Sequence, residues 1–112
     1  MVTVLSPLLL VACSDRPPTL GEGIAPSIGD TPYFDERVKQ RFPVGSEEKA
    51  LLAELRSERF KTRESPDPSS PYRSWALYEQ SELFCKNTWE ILWSADAGKI
   101  TNIKATSRAV CL

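Results

Sequence analysis

Residues 85–111 read CKNTWEILWSADAGKITNIKATSRAVC. Trp89, Ile91 and Trp93 alternate with Glu90, Leu92 and Ser94. That is the period of a strand with one buried face. Asp96-Ala97-Gly98-Lys99 follows as a turn signal, with Gly98 where a hairpin needs positive φ. Ile100 to Ala105 then returns as the partner strand, with Ile103 pointing inward. Residues equidistant from a turn at 97 and 98 face each other across an antiparallel pair. Cys85 and Cys111 are nearly equidistant, so the hairpin carries them together and predicts a disulfide between them. The alternative for the same two residues is a pair of buried free thiols.

Upstream of this hairpin, Ser74 to Tyr78 (SWALY) suits a further strand. Residues 62–71 (TRESPDPSSP) hold three Pro and three Ser and predict a loop without secondary structure. Before the loop, two helices are expected. The first begins with Thr31 as cap and Pro32 at the first helical position, with Asp35 and Glu36 in the first turn. Phe34, Val38 and Phe42 make its apolar stripe, Lys39 and Arg41 suit its C-terminal end, and Pro43 and Gly45 stop it. The second helix begins with Ser46 as cap, followed by Glu47 and Glu48. Its apolar face is Leu51, Leu52 and Leu55. Arg56 and Arg59 end it, and Phe60 packs back. The expected fold is α+β: two N-terminal helices packed on a three-stranded antiparallel sheet, as a single α-α-β-β-β domain over residues 31–112.

Composition bounds the function. The chain has 112 residues, 14 Lys and Arg against 15 Asp and Glu, and no histidine. A net charge of −1 argues against nucleic acid as a main partner. The lack of histidine removes the commonest general base and metal ligand. There is no Gly-x-Ser-x-Gly and no Cys-x-x-Cys, and Asp96 to Lys99 is too short and ligand-poor for a calcium loop. No catalytic residue, metal site or cofactor is therefore expected, and the chain is not expected to be an enzyme. Trp75, Tyr78, Trp89 and Trp93 can form a core, or one sheet face can remain for a partner. Tyr72 and Tyr78 are the aromatics expected to be exposed. Residues 80–84, including Leu83 and Phe84, form the candidate partner-binding loop just before Cys85.

The N-terminus carries the signals of location. Residues 2–12 are uncharged and apolar, but eleven residues of helix span only about 16 Å, too short for a membrane. Leu10-Val11-Ala12-Cys13 closes this run and resembles the lipobox of bacterial lipoproteins. The resemblance implies a signal peptide over residues 1–12 and acylation of Cys13 with palmitate-type chains. Ser14 implies export to the outer membrane, on its periplasmic face, with retention in the inner membrane as the alternative. No Lys or Arg precedes Cys13, unlike most signal peptides. Residues 13–30, rich in Pro and Gly, then serve as a flexible tether. An oxidising periplasm suits a Cys85–Cys111 disulfide.

The order helix, helix, strand, strand, strand, with Phe42-Pro43-Val44-Gly45 before helix two and Trp93 to Ile103 around the turn, resembles the BamE/SmpA type of small outer-membrane lipoprotein. It is similar as well to β-lactamase-inhibitor domains. That likeness implies a structural or interaction module of envelope assembly or maintenance, with an envelope protein as partner and the membrane held through lipid. The alternative is a periplasmic inhibitor of a hydrolase such as lysozyme.

Overall fold

The computed structural model describes Leu20 and residues 32 to 111. The expected signal peptide over residues 1–12, Cys13 and the expected tether, apart from Leu20, lie outside the described residues. Among the described residues, two helices, α1 (Pro32–Arg41) and α2 (Glu48–Ser57), precede four strands: β1 (Lys61–Glu64), β2 (Ser74–Ser81), β3 (Cys85–Asp96) and β4 (Lys99–Cys111). The fold is α+β, with the strands in the order β1-β2-β3-β4 and every pairing antiparallel.

The sheet has four strands, not three. The extra one, β1, falls in the stretch expected to be loop. All four of its side chains are exposed, so it has no apolar alternation to betray it. Its backbone instead pairs with β2, Lys61 opposite Leu77 and Glu64 opposite Ser74. A short edge strand with a Lys and an Arg is a normal way to blunt a sheet edge against further pairing. The fourth strand also departs from the α-α-β-β-β order of the resemblance.

Both helices cover one face of the sheet. Phe34, Val38 and Phe42 are buried as their spacing requires, together with Leu51, Leu55 and Phe60. They meet Ala76, Trp89, Ile91, Trp93, Ile100, Ile103 and Ala105. Leu20 joins this core at 2 % exposure. Its N–H donates to Glu58 Oε1 at 2.9 Å, so at this residue the expected free tether is docked.

Helix α2 starts later than expected. Its cap position is Glu47, which makes no side-chain capping bond, and Ser46 does not cap. The segment before α2 instead runs along the outer edge of β4. Gly45 donates to the Ile100 carbonyl, Ile100 to the Ser46 carbonyl, and Glu48 to the Gly98 carbonyl, at 2.8, 2.8 and 2.9 Å. The hairpin turn thus satisfies a helix N-terminal N–H that a Ser side chain would otherwise take. The helix ends in a Schellman motif: Phe60 donates to the Leu55 carbonyl and Arg59 to the Arg56 carbonyl, with Arg59 at φ 66°.

The β3–β4 hairpin turns through Ala97 and Gly98, both at positive φ, as a two-residue loop needs. From Asp96↔Lys99 the pairing continues to Ala95↔Ile100 and then Ser94↔Asn102. Thr101 is left over as a β-bulge. Without it, Cys85 would face Val110. With it, Cys85 faces Cys111, and the disulfide forms. The bulge also explains why Ile100 and Ile103, three apart, are both buried on one face. The return strand extends past Ala105 to Cys111.

Candidate interaction site

At the end of the sheet opposite the Ala97–Gly98 turn, β2 and β3 are joined by Glu82, Leu83 and Phe84. Gln80 and Ser81 belong to β2, so the loop expected over residues 80–84 is only these three residues. Glu82 N–H donates to the Cys85 carbonyl at 2.7 Å and closes the turn. Leu83 is 85 % exposed and Phe84 67 %. Cys85 is disulfide-bonded to Cys111 immediately behind them, with the Cα atoms 4.0 Å apart. Val110, opposite Lys86 in the register, adds a third exposed apolar side chain at this end. Lys86 is ion-paired to Glu79. The result is a short apolar tip held by a covalent cross-link.

The other named aromatics do not join it. Tyr78 was expected at the surface, but it packs against the core, 5.6 Å from the Phe60 ring and 5.8 Å from the Trp89 ring. Pairing explains this: Tyr78 lies opposite Trp89, which puts it on the helix-covered face. Tyr72 is half-buried before the start of β2, at the far end of that strand from Leu83, with its N–H donating to Ser70 Oγ at 3.1 Å. Leu83, Phe84, Cys85 and Cys111 come together; Tyr72 and Tyr78 do not.

The sequence left open whether one sheet face stays free for a partner, and did not tell which of the aromatics would lie on it. Trp89 and Trp93 are core, each 1 % exposed, whereas Trp75 lies on the uncovered face opposite Leu92. In SWALYEQS both parities carry apolar residues, Trp75 and Leu77 on one side and Ala76 and Tyr78 on the other. Alternation alone therefore could not orient the strand. Trp75 Nε1 donates to Glu90 Oε2 at 2.6 Å. The Arg63 guanidinium stacks on its ring at 3.8 Å from the centroid. Shallow depressions of about 290 and 240 Å³ flank Trp75. The first is bordered by Lys61, Leu77 and Glu79. The second is bordered by Pro66, Asp67 and Leu92. In the loop beside it, the Ser69 hydroxyl at 2.7 Å, and after it the Ser69 N–H at 2.9 Å, hold the Asp67 carboxyl below its ordinary pKa.

Among the described residues, no three His, Cys, Asp or Glu side chains gather in a metal-binding group. No helix among them is long and apolar enough to cross a membrane. No family model matches the chain, and neither a curated protein nor a solved structure matches it.

Proposed function

We propose that this chain is a lipoprotein of the bacterial envelope, anchored through acylated Cys13 on the periplasmic face of the outer membrane, and that its domain acts by binding another envelope protein. One observation supports binding above all: Leu83 and Phe84 stand out at a turn braced by Cys85–Cys111. Leaving two large apolar side chains in water is unfavourable, and rigid apolar anchors lose little entropy on entering a partner's pocket. The same rigid turn suits insertion into an enzyme cleft, which keeps inhibition of a hydrolase such as lysozyme as the second reading. Assembly or maintenance of the envelope is the first.

The test uses the full-length gene in its native envelope. Leu83→Ser with Phe84→Ser should abolish crosslinking to the partner while membrane retention and circular dichroism stay unchanged. Undiminished crosslinking by the double variant would count against the tip. Separately, Cys13→Ala should release the protein from the membrane fraction or leave it unprocessed. An unmodified Cys13 in mature protein, found by mass spectrometry, would sink the lipid anchor.

A further inference from the structure

A second surface, distinct from the tip, carries the charge pattern of a binding face. The register places Lys61, Arg63, Lys86, Lys99, Lys104 and Arg108 on the uncovered side of the sheet, against Glu79, Glu90 and Asp96. Asp67 adds a carboxylate in the loop beside Trp75. Six basic and three acidic strand residues, with Asp67 beside them, give this face a charge of +2. The chain as a whole carries −1, so the remainder carries −3. Three of the four acids are already engaged, Glu79 with Lys86, Glu90 with the Trp75 indole and Asp67 with Ser69.

The arrangement is ordered across the strands. One row reads Arg63, Trp75, Leu92, Lys104, and the next reads Lys61, Leu77, Glu90, Thr106. In the first row cations stand at the two edges with Trp75 and Leu92 between them; in the second, Lys61 stands at one edge and Thr106 at the other, with Leu77 and Glu90 between. Arg63, Lys61, Lys104 and Arg108 are exposed, while Trp75, Leu77 and Leu92 are half-buried. The apolar centre is recessed below a basic rim, with a depression on each side of Trp75.

We infer that this face binds an acidic protein segment that carries apolar side chains between its carboxylates. The carboxylates meet the rim by charge complementarity, which sets encounter rate and register. The apolar side chains enter the depressions beside Trp75, whose volumes are on the scale of one large side chain. Trp and Arg are the residue types that most often dominate interface energetics, and here Arg63 pre-orders Trp75 by stacking on it. A lipid leaflet fits less well, because its phosphates would reach the rim but nothing would fill the recessed centre. This inference rests on the binding-module reading, but on a surface centred on Trp75 and away from Leu83 and Phe84, with Lys86 and Glu79 bordering both.

The test uses the full chain with Cys13→Ser and a fluorescein-labelled synthetic peptide alternating glutamate with leucine. Anisotropy should report binding that weakens steeply as salt is raised to about 0.5 M. Arg63→Glu with Lys104→Glu should weaken it by roughly tenfold or more, as should Trp75→Ala. Lys49→Glu with Arg56→Glu, on the helix side, should leave it within about twofold, as should Leu83→Ser with Phe84→Ser. Because Lys104 and Arg63 are exposed, their reversal tests the idea even where Trp75→Ala unfolds. Equal binding of a lysine–leucine peptide would overturn the inference. So would insensitivity to the Arg63 and Lys104 reversals, or binding of anionic phospholipid vesicles in place of the acidic peptide. Loss of peptide binding only in the Leu83 and Phe84 variant would transfer the activity to the tip and refute this face.

Discussion

Trp75 and Trp93 differ little in sequence context, since each sits in a β-strand beside a Ser, yet the two faces of one sheet treat them oppositely. Trp93 is 1 % exposed beneath the helices, and its indole N–H donates to Glu48 Oε2 at 2.8 Å. Trp75 is half-buried on the open face, with its indole N–H on Glu90 and Arg63 over its ring. The buried indole finds its acceptor on a helix, which ties α2 to the sheet. The open one finds its partners on neighbouring strands and stays accessible. Position relative to the helical layer, and not residue type, separates a core side chain from one that stays partly accessible.

The comparison can be broken by truncating each side in turn. Trp93→Ala should destabilise the domain by about 3–5 kcal/mol in denaturant unfolding, because it opens a cavity and strands the Glu48 carboxylate. Trp75→Ala should lose about 1 kcal/mol, the scale of a partly exposed aromatic and one stacked cation. Comparable losses at the two sites would mean that the open face is structural.

The helix-facing side thins toward Cys85 and Cys111, where Asn87 and Ala109 replace the large apolar side chains. The disulfide stands in for packing there. It closes a loop with a sequence separation of 26 residues. Replacing both cysteines by Ser should lower stability by about 3–4 kcal/mol in the chain-entropy treatment. Peptide mapping without reductant should find the two joined, and two alkylatable thiols in folded protein expressed into an oxidising periplasm would contradict it.

A smaller effect sits where α1 meets the edge of β4. Asp35 Oδ1 accepts from the Ala105 N–H at 2.8 Å, and its other oxygen pairs with Lys39 at 2.8 Å. Asp35→Ala leaves that edge N–H without its acceptor. It should cost about 1–3 kcal/mol and raise concentration-dependent association, measurable by light scattering. Arg59→Gly works in the opposite direction. Arg59 holds φ 66° in the Schellman motif, where Gly carries no Cβ penalty. A gain of up to about 1 kcal/mol is expected, read as a higher denaturation midpoint.

Most of the helix-facing layer was legible because its residues obey a period. Phe34, Val38 and Phe42 recur every four residues, and Trp89, Ile91 and Trp93 every two, so each set needs one face. The cysteine pairing was legible for a similar reason, since hairpin geometry turns sequence distance into opposition. Its one-residue offset came only with the structure, where the bulge at Thr101 keeps Ile100 and Ile103, three apart, on one face. The candidate site was legible in part. Leu83 and Phe84 were named beside Cys85, but Tyr78 was assigned to the surface because nothing local told which face of β2 would be covered.

What the sequence alone determined, then, is everything that depends on spacing within one segment: two amphipathic helices, the Asp96–Lys99 turn, and the approach of Cys85 to Cys111. Tertiary structure decided what depends on partners distant in the chain. β1 exists because β2 offers it a backbone ladder, although its KTRE side chains carry no strand pattern. Helix α2 starts against the carbonyl of Gly98, not on the Ser46 side chain. Leu20 is held at the core because Glu58 accepts from its N–H and Arg37 donates to its carbonyl. Trp75 is open because both helices lie on the other side. Hydrogen bonding and burial are satisfied by whichever group is nearest in space, and nearness in space is set by the packed layers, which no local window of residues contains.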